Sequence, residues 1–496
     1  MSDQKNPTLW ENWISLSGII LAICSFFAVA FLFAMEYFRG FENPYMGILT
    51  YIVAPAFLSA GLILIACGAV YERRRRRRLA PGEIPRHPRI DFNIARHRNT
   101  FIAVAVIAFV FLGLTSMGTY RTYHFTESVQ FCGQTCHPVM KPEFTAYQNS
   151  PHARVTCTQC HIGPGAGWFV RSKLSGAYQV YATVADKYPR PIPTPVKNLR
   201  PAQDTCEQCH WPKKFFGATE RVNVHYLADE ENTPWTIRLL MKVGGGDPST
   251  GPAGGIHWHM NISNKVEYIA VDEARLTIPW VRVTSSDGKT TVFESEDSPL
   301  TPEQKAKLAP RTMDCIDCHN RPAHIYNPPA RAINLALNTG RIPADLPSVK
   351  QHAVQALTAE YKSTGEALEK INKLMQDQYK GYSDQAKVKT AIQETQKIYS
   401  QNFFPEMKVD WRTYPNNIGH SIFPGCYRCH DGKHVAAGGK LISRDCSSCH
   451  IILAQGNGDK AEAISPNGLE FEHPVDIDDL WKEMNCAECH NGALAQ

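Results

Sequence analysis

The sequence predicts three membrane-spanning helices, then a mainly helical and irregular exported domain with a small β-containing insertion. Three observations carry this. Three apolar runs without a charged residue end by position 120. Fourteen of the sixteen Cys form seven pairs after those runs, each closed at once by a His. Strand-like period-two segments gather between residues 216 and 305, where no such pair occurs.

The apolar runs cover residues 14–35, 43–71 and 100–120. About 20 apolar residues cross a bilayer core, so each run is long enough. Pro44 and Pro55 interrupt the second, whose span is placed at 47–71. A buried helix of a soluble protein is the rival explanation, but such helices rarely stay charge-free for so long. The first run follows no basic stretch and precedes no small-residue cleavage site, so it reads as an uncleaved anchor.

Charge sets the orientation. Residues 72–100 hold ten Arg against Glu72, Glu83 and Asp91, a net of +7, while residues 1–71 net −2 and the remainder zero. Such a loop stays on the cytoplasmic side, placing everything after residue 120 outside. The loop could also touch anionic lipid heads. Its basic residues are confined between two apolar runs, which excludes a nucleic-acid partner of the usual kind, with basic residues spread over a folded face.

Six pairs read C-x-x-C-H: Cys157/Cys160/His161, Cys206/Cys209/His210, Cys315/Cys318/His319, Cys426/Cys429/His430, Cys446/Cys449/His450 and Cys486/Cys489/His490. A longer first one, CGQTCH, holds Cys132, Cys136 and His137. Two thiols at this spacing add to the two vinyl groups of one haem, and the next His is held beneath the iron. Zinc ribbons share the C-x2-C pair but do not need a His after every second Cys. A two-residue loop is also a poor structural disulfide. Seven repeats therefore predict a membrane-anchored multihaem cytochrome with seven covalently attached haem c groups. Haem is attached on the outer face of the membrane, where charge independently places this region. Cys24 and Cys67 lie within spans as small apolar residues.

Bis-His irons need further ligands. Outside the motifs, His152, His225, His257, His259, His324, His420, His434 and His473 are the candidates. His324 follows its motif in CHNRPAH, His434 in CHDGKH, and His257 and His259 alternate in GIHWHM. His352 and His124 fit less well, one in a polar helical stretch and one beside the membrane. Met140 lies three residues after His137, where it either ligates the first iron or packs against the porphyrin; thioether ligation would raise that potential.

Residues 121–215 carry three motifs and many prolines, so regular structure should be sparse. Residues 216–305 hold KVEYIAV, RLTIPWVRV and KTTVFES as short strands, with an SDGK turn between the last two. Residues 306–409 carry the fourth motif and, from 345 to 400, helical periodicity. Residues 410–496 carry the last three motifs.

FCGQTCHPVMKPEFTAYQNSPHARVTCTQCH, just after an apolar run, resembles the NapC/NirT family of membrane-anchored quinol dehydrogenases. CEQCHWPKKFFG and CHNRPAH extend the likeness to larger heptahaem inner-membrane members. The resemblance implies an inner-membrane protein with its haem domain in the periplasm. It further implies oxidation of quinol, menaquinol above all, near the first haem, with electrons passing to periplasmic c-type cytochromes or a terminal reductase. In the family a Met near the first motif often replaces its His as ligand, which maps onto Met140. A Lys after the second motif lines the quinol site, which maps onto Lys173, with Arg171 and Tyr178 as further residues to orient quinol oxygens. The acidic partner usual after that Lys has no match here, since Tyr178 and Gln179 stand in its place and Asp186 comes late. Two other functions compete. One is a passive electron-transfer subunit without its own quinol site. The other is a terminal reductase, which needs an open iron position, whereas each of the last six motifs has a distal His at hand.

Overall fold

The computed structural model describes residues 8–39, 54–78, 91–135, 137–163, 165–196, 199–211, 215–245, 254–261 and 263–493. Cys136, residues 47–53 of the second expected span and 79–90 of the Arg-rich loop lie outside the described residues. The chain divides into two compact units, residues 1–127 with 163–176, and 128–162 with 177–496.

The first unit holds helices α1 (Trp13–Arg39), α2 (Ala54–Arg76) and α3 (Ala95–Thr126). Among the described residues, α1 and α2 are long and apolar enough to cross a membrane. They pack through small residues. A Cβ on Gly61 would lie 2.7 Å from the Ala22 nitrogen, and one on Gly18 2.7 Å from the Gly61 carbonyl oxygen. Only glycine lets the two backbones meet there. Polar side chains at the contact are satisfied across it: Asn12 Nδ2 donates to the Gly68 carbonyl (3.1 Å) and Ser15 Oγ to that of Ile65 (3.2 Å). Phe26, Phe27 and Ile63 point away from the helix contact and are exposed, as lipid-facing residues are. The third expected run lies within α3, which continues five residues before it and six beyond.

The second unit opens with α4 (His137–Gln148), and a nineteen-residue helix α5 (Ala166–Val184) runs from the first unit's segment into it. This region is thus more helical than its prolines suggest: α4 includes Pro138 and Pro142, and four further prolines follow α5 at 189–195. Its sheet content also exceeds the sequence expectation. Strands β3 (Lys265–Ile269), β4 (Trp280–Thr284) and β5 (Thr290–Ser295) lie within the three expected segments, save that β4 runs one residue past its own. The turn between β4 and β5 closes through Ser285 and Lys289 (3.0 Å), with Gly288 at φ +78°. Residues 219–226 and 234–241 add β1 (Thr219–Tyr226) and β2 (Pro234–Met241). Arg311–Thr312 forms β6, His434–Ala436 forms β7 and His450–Gly456 forms β8. Two antiparallel sheets result, ordered β1-β2-β8 and β6-β3-β4-β5-β7, so each gains an edge strand from the C-terminal segment.

The main core belongs to helices α6 (Pro329–Asn338), α7 (Val349–Thr358), α8 (Thr364–Gln378) and α9 (Gln385–Asn402). Ile333, Val349, Ala353, Ile371, Met375 and Ala391 meet there with no exposed surface. Their helical spacing is the pattern visible in the sequence. Ser363 caps α8 by accepting from the Glu366 amide (3.2 Å), and Asp384 caps α9 by accepting from that of Lys387 (3.1 Å).

Candidate haem sites and the membrane-side pair

Each motif folds as one helical turn. Cys157–His161, Cys315–Cys318 and Cys486–Cys489 are α-helical, while Cys206–Gln208, Gly425–Arg428 and Cys446–Ser448 are 3-10 turns. One turn places positions i, i+3 and i+4 on one face, which brings two thiols and the closing imidazole to the same side. His319 N donates to Cys315 O (2.7 Å), and His490 N to Cys486 O (2.8 Å). The longer first motif is accommodated differently: Phe131–Thr135 is a π-helical turn, whose wider loop absorbs one extra residue. Cys136 and the side chain of His137 lie outside what is described.

The remaining six motif histidines each face one non-motif histidine. The ring centroids are 6.2 Å apart for His161–His324, 6.0 Å for His210–His152 and 6.5 Å for His319–His257. They are 5.8 Å apart for His430–His259, 6.2 Å for His450–His420 and 5.9 Å for His490–His473. A metal–imidazole bond of about 2 Å on each side, plus half of each ring, puts two trans imidazoles roughly 6 Å apart. The spacing therefore fits an iron between each pair.

Hydrogen bonding orients the rings. Nδ1 meets a backbone carbonyl in His257 (Val243, 2.6 Å), His259 (Ile256, 2.9 Å), His324 (Glu143, 3.0 Å), His473 (Val475, 2.8 Å) and His152 (Pro322, 3.2 Å). That arrangement leaves Nε2 for a metal and fixes the tautomer. Burial holds His161, His259, His319, His324, His450 and His490 below the usual imidazole value. Burial, helped by nearby His450, brings His420 down to about 4. These rings stay neutral at pH 7, as ligation requires.

Two expected ligands stand elsewhere. His434 spends Nδ1 on Asp431 (2.9 Å) and Nε2 on the Ile278 carbonyl (2.7 Å), leaving neither nitrogen for iron. Burial pulls its pKa down, but those two hydrogen bonds outweigh it and raise the value. His225 lies on β1 with Nδ1 at 3.5 Å from the Asn334 amide. His352 contacts Tyr379, and His124 contacts Tyr120 and Tyr123. Met140 is half-buried against the helical core. Among the described residues no group of three or more His, Cys, Asp or Glu is placed to hold a single metal ion.

On the membrane side, Lys173 Nζ forms an ion pair with Glu127 Oε1 and lies 3.4 Å from Thr126 Oγ1, all within the first unit. Glu127 ends α3, five residues before Cys132. Glu127 reaches Lys173 from 46 residues upstream, where no local signal marks it. Asp186, the late candidate, pairs with Arg190 instead (2.6 Å). Arg171 lies over the Trp168 ring, 5.4 Å from its centroid. Tyr178, exposed in the second unit, sits against Tyr181.

Residues 95–191 match the N-terminal region of the NapC/NirT cytochrome c family. Cytochrome c-type protein ImcH of Geobacter sulfurreducens is 47% identical over 494 residues, covering 98% of this chain and 96% of that protein. The chain belongs to the NapC/NirT cytochrome c family. No solved structure matches it. As a NapC/NirT cytochrome it is a membrane-anchored electron-transport protein that carries covalently bound haem c.

Proposed function

We propose that the chain is a seven-haem quinol dehydrogenase of the bacterial inner membrane, with its haem domain in the periplasm. The six motif-to-distal histidine pairs at iron-spanning separation are the observation that carries the haem reading. Cys132, Cys136 and the six later Cys pairs would hold haem covalently. The six His pairs would supply its axial ligands, with His137 or Met140 at the first site. Haem, once bound, supplies one-electron chemistry; the chain sets ligand identity, burial and order.

The quinol reading is supported by the Lys173–Glu127 pair at the end of α3. Lys173 can donate a hydrogen bond to a quinol oxygen, and Glu127 can accept a proton that quinol oxidation releases. Arg171, in the first unit with that pair, is a further candidate for orienting quinol. Electrons then pass to periplasmic c-type cytochromes or a terminal reductase.

The test mixes the purified, oxidised protein in detergent with a menaquinol analogue and follows the haem absorption bands. Rapid reduction, blocked by a quinone-site inhibitor and slowed at least tenfold in K173M, is expected. Reduction by dithionite but not by quinol would leave an electron-transfer subunit whose quinol site belongs to a partner.

A further inference from the structure

We propose that the seven attachment sites form one row in sequence order, each touching the next, so that the electron path runs from Cys132 to His490 without skipping a site. This rests on the haem reading above but not on the quinol one. Sites are numbered here from 1 to 7 along the chain.

Every joint of the row has its own contact. Between sites 1 and 2, the Cys132 and Cys157 side chains lie beside each other. Sites 2 and 3 are joined through His152, which stands five residues before Cys157 yet faces His210 of site 3. Joining sites 3 and 4, the Ala202 amide, four residues before Cys206, donates to Asp314 Oδ2 (3.1 Å), and Asp314 immediately precedes Cys315.

The later joints are as direct. Arg428, inside motif 5, donates from Nη2 to the carbonyl of Asp317, inside motif 4 (2.8 Å). His257 and His259, two residues apart, face the motif rings of sites 4 and 5. Tyr427 of motif 5 stacks on His420, which faces His450 of site 6 (centroids 4.3 Å). His420 Nδ1 in turn lies 3.8 Å from Cys486 Sγ of site 7.

The thiols have matching neighbours. Cys206 and Cys209 lie beside Cys160, Cys206 beside Cys315, Cys426 beside Cys318 and Cys449, and Cys446 beside Cys486. Among the described residues each such pair between motifs joins successive sites. Shared side chains and backbone at each joint would bring haems at successive sites close together.

The test cuts the row. In the full-length holoprotein, C315A/C318A removes site 4 and leaves six, which a pyridine haemochrome count verifies. Electrons enter from each end: from a menaquinol analogue at site 1, or from a ruthenium photosensitiser attached at D476C beside His473 of site 7. Light-driven injection should rapidly reduce half of the remaining haem, sites 5 to 7, with dithionite reducing the rest. Quinol should reduce the other half. Rapid reduction of all six from the sensitiser would overturn the row. Failure with quinol alone, while the sensitiser still stops at half, would sink the quinol reading and leave the row standing. If that variant does not fold, C426A/C429A cuts at site 5 and moves the split to four and two. Reduction of all six from either end would again refute the order.

Discussion

A ring nitrogen can meet an iron only when nothing in the protein already holds it. His324 and His434 look equivalent in sequence, each a few positions after a motif histidine, in CHNRPAH and CHDGKH. Their partners separate them, because His324 keeps Nε2 directed at His161 while His434 spends both nitrogens internally. H257A should therefore convert about one haem in seven from low-spin to high-spin, read by electron paramagnetic resonance, given the pairing with His319. H225A and H434A should leave the spin state unchanged; a high-spin signal from either would show that the pairing is wrong. Gly133 is a second residue-level constraint. A Cβ there would sit 2.2 Å from Phe144 Cδ2. G133A should distort the π turn and lower haem loading at site 1, seen as a loss of about one haem in the pyridine haemochrome count. Full loading would show that the turn tolerates the clash.

At the scale of elements, Lys350 on α7 is the group most at odds with its surroundings. It is 4% exposed, and its Nζ donates to the Tyr226 carbonyl. Burial lowers its pKa to about 8, with Asp229 opposing. The folded value lies below the unfolded one, so the unfolded chain binds the extra proton. Stability should rise with pH between about 8 and 10.5 and be lowest below pH 8. Keeping the charge costs about 3 kcal/mol at pH 7, and the hydrogen bond to Tyr226 returns about 1 kcal/mol. K350M should accordingly stabilise this segment at pH 7 by about 2 kcal/mol and flatten that rise, measured as melting temperature against pH. A drop in melting temperature at pH 7 would mean that the hydrogen bond outweighs the buried charge. The helical periodicity of 345–400 was legible because α7, α8 and α9 bury local stripes. Residues 219–226 were not legible as a strand because β1 buries so little: its first five residues are exposed, and it is held by pairing with β2.

The whole molecule has two kinds of interior. The core around Ile333, Ile371, Met375 and Trp411 is built from side chains alone. The described motif cysteines, by contrast, are half-buried or exposed. Haem would complete that second interior, contributing apolar area that the side chains do not. Protein produced without haem attachment should keep a protease-resistant fragment spanning about residues 326–414, while the segments carrying sites 1 to 3 and 5 to 7 are digested. Limited proteolysis with mass spectrometry reads this directly. Uniform digestion would show that the helical core also depends on haem.

The sequence by itself determined what is local. Two cysteines and a histidine at i, i+3 and i+4 lie on one face of a single turn whatever surrounds them, so six of the seven attachment motifs are visible without a fold, and the longer first one by its likeness to them. Charge-free runs long enough to span a bilayer are likewise properties of contiguous residues. Tertiary structure alone decided the partners. His161 meets His324 across 163 positions, Lys173 meets Glu127 across 46, and β2 pairs with β8 across more than two hundred. Which histidine faces which motif depends on how distant segments close on one another and on which ring nitrogen a carbonyl has already taken, and no spacing along the chain encodes either.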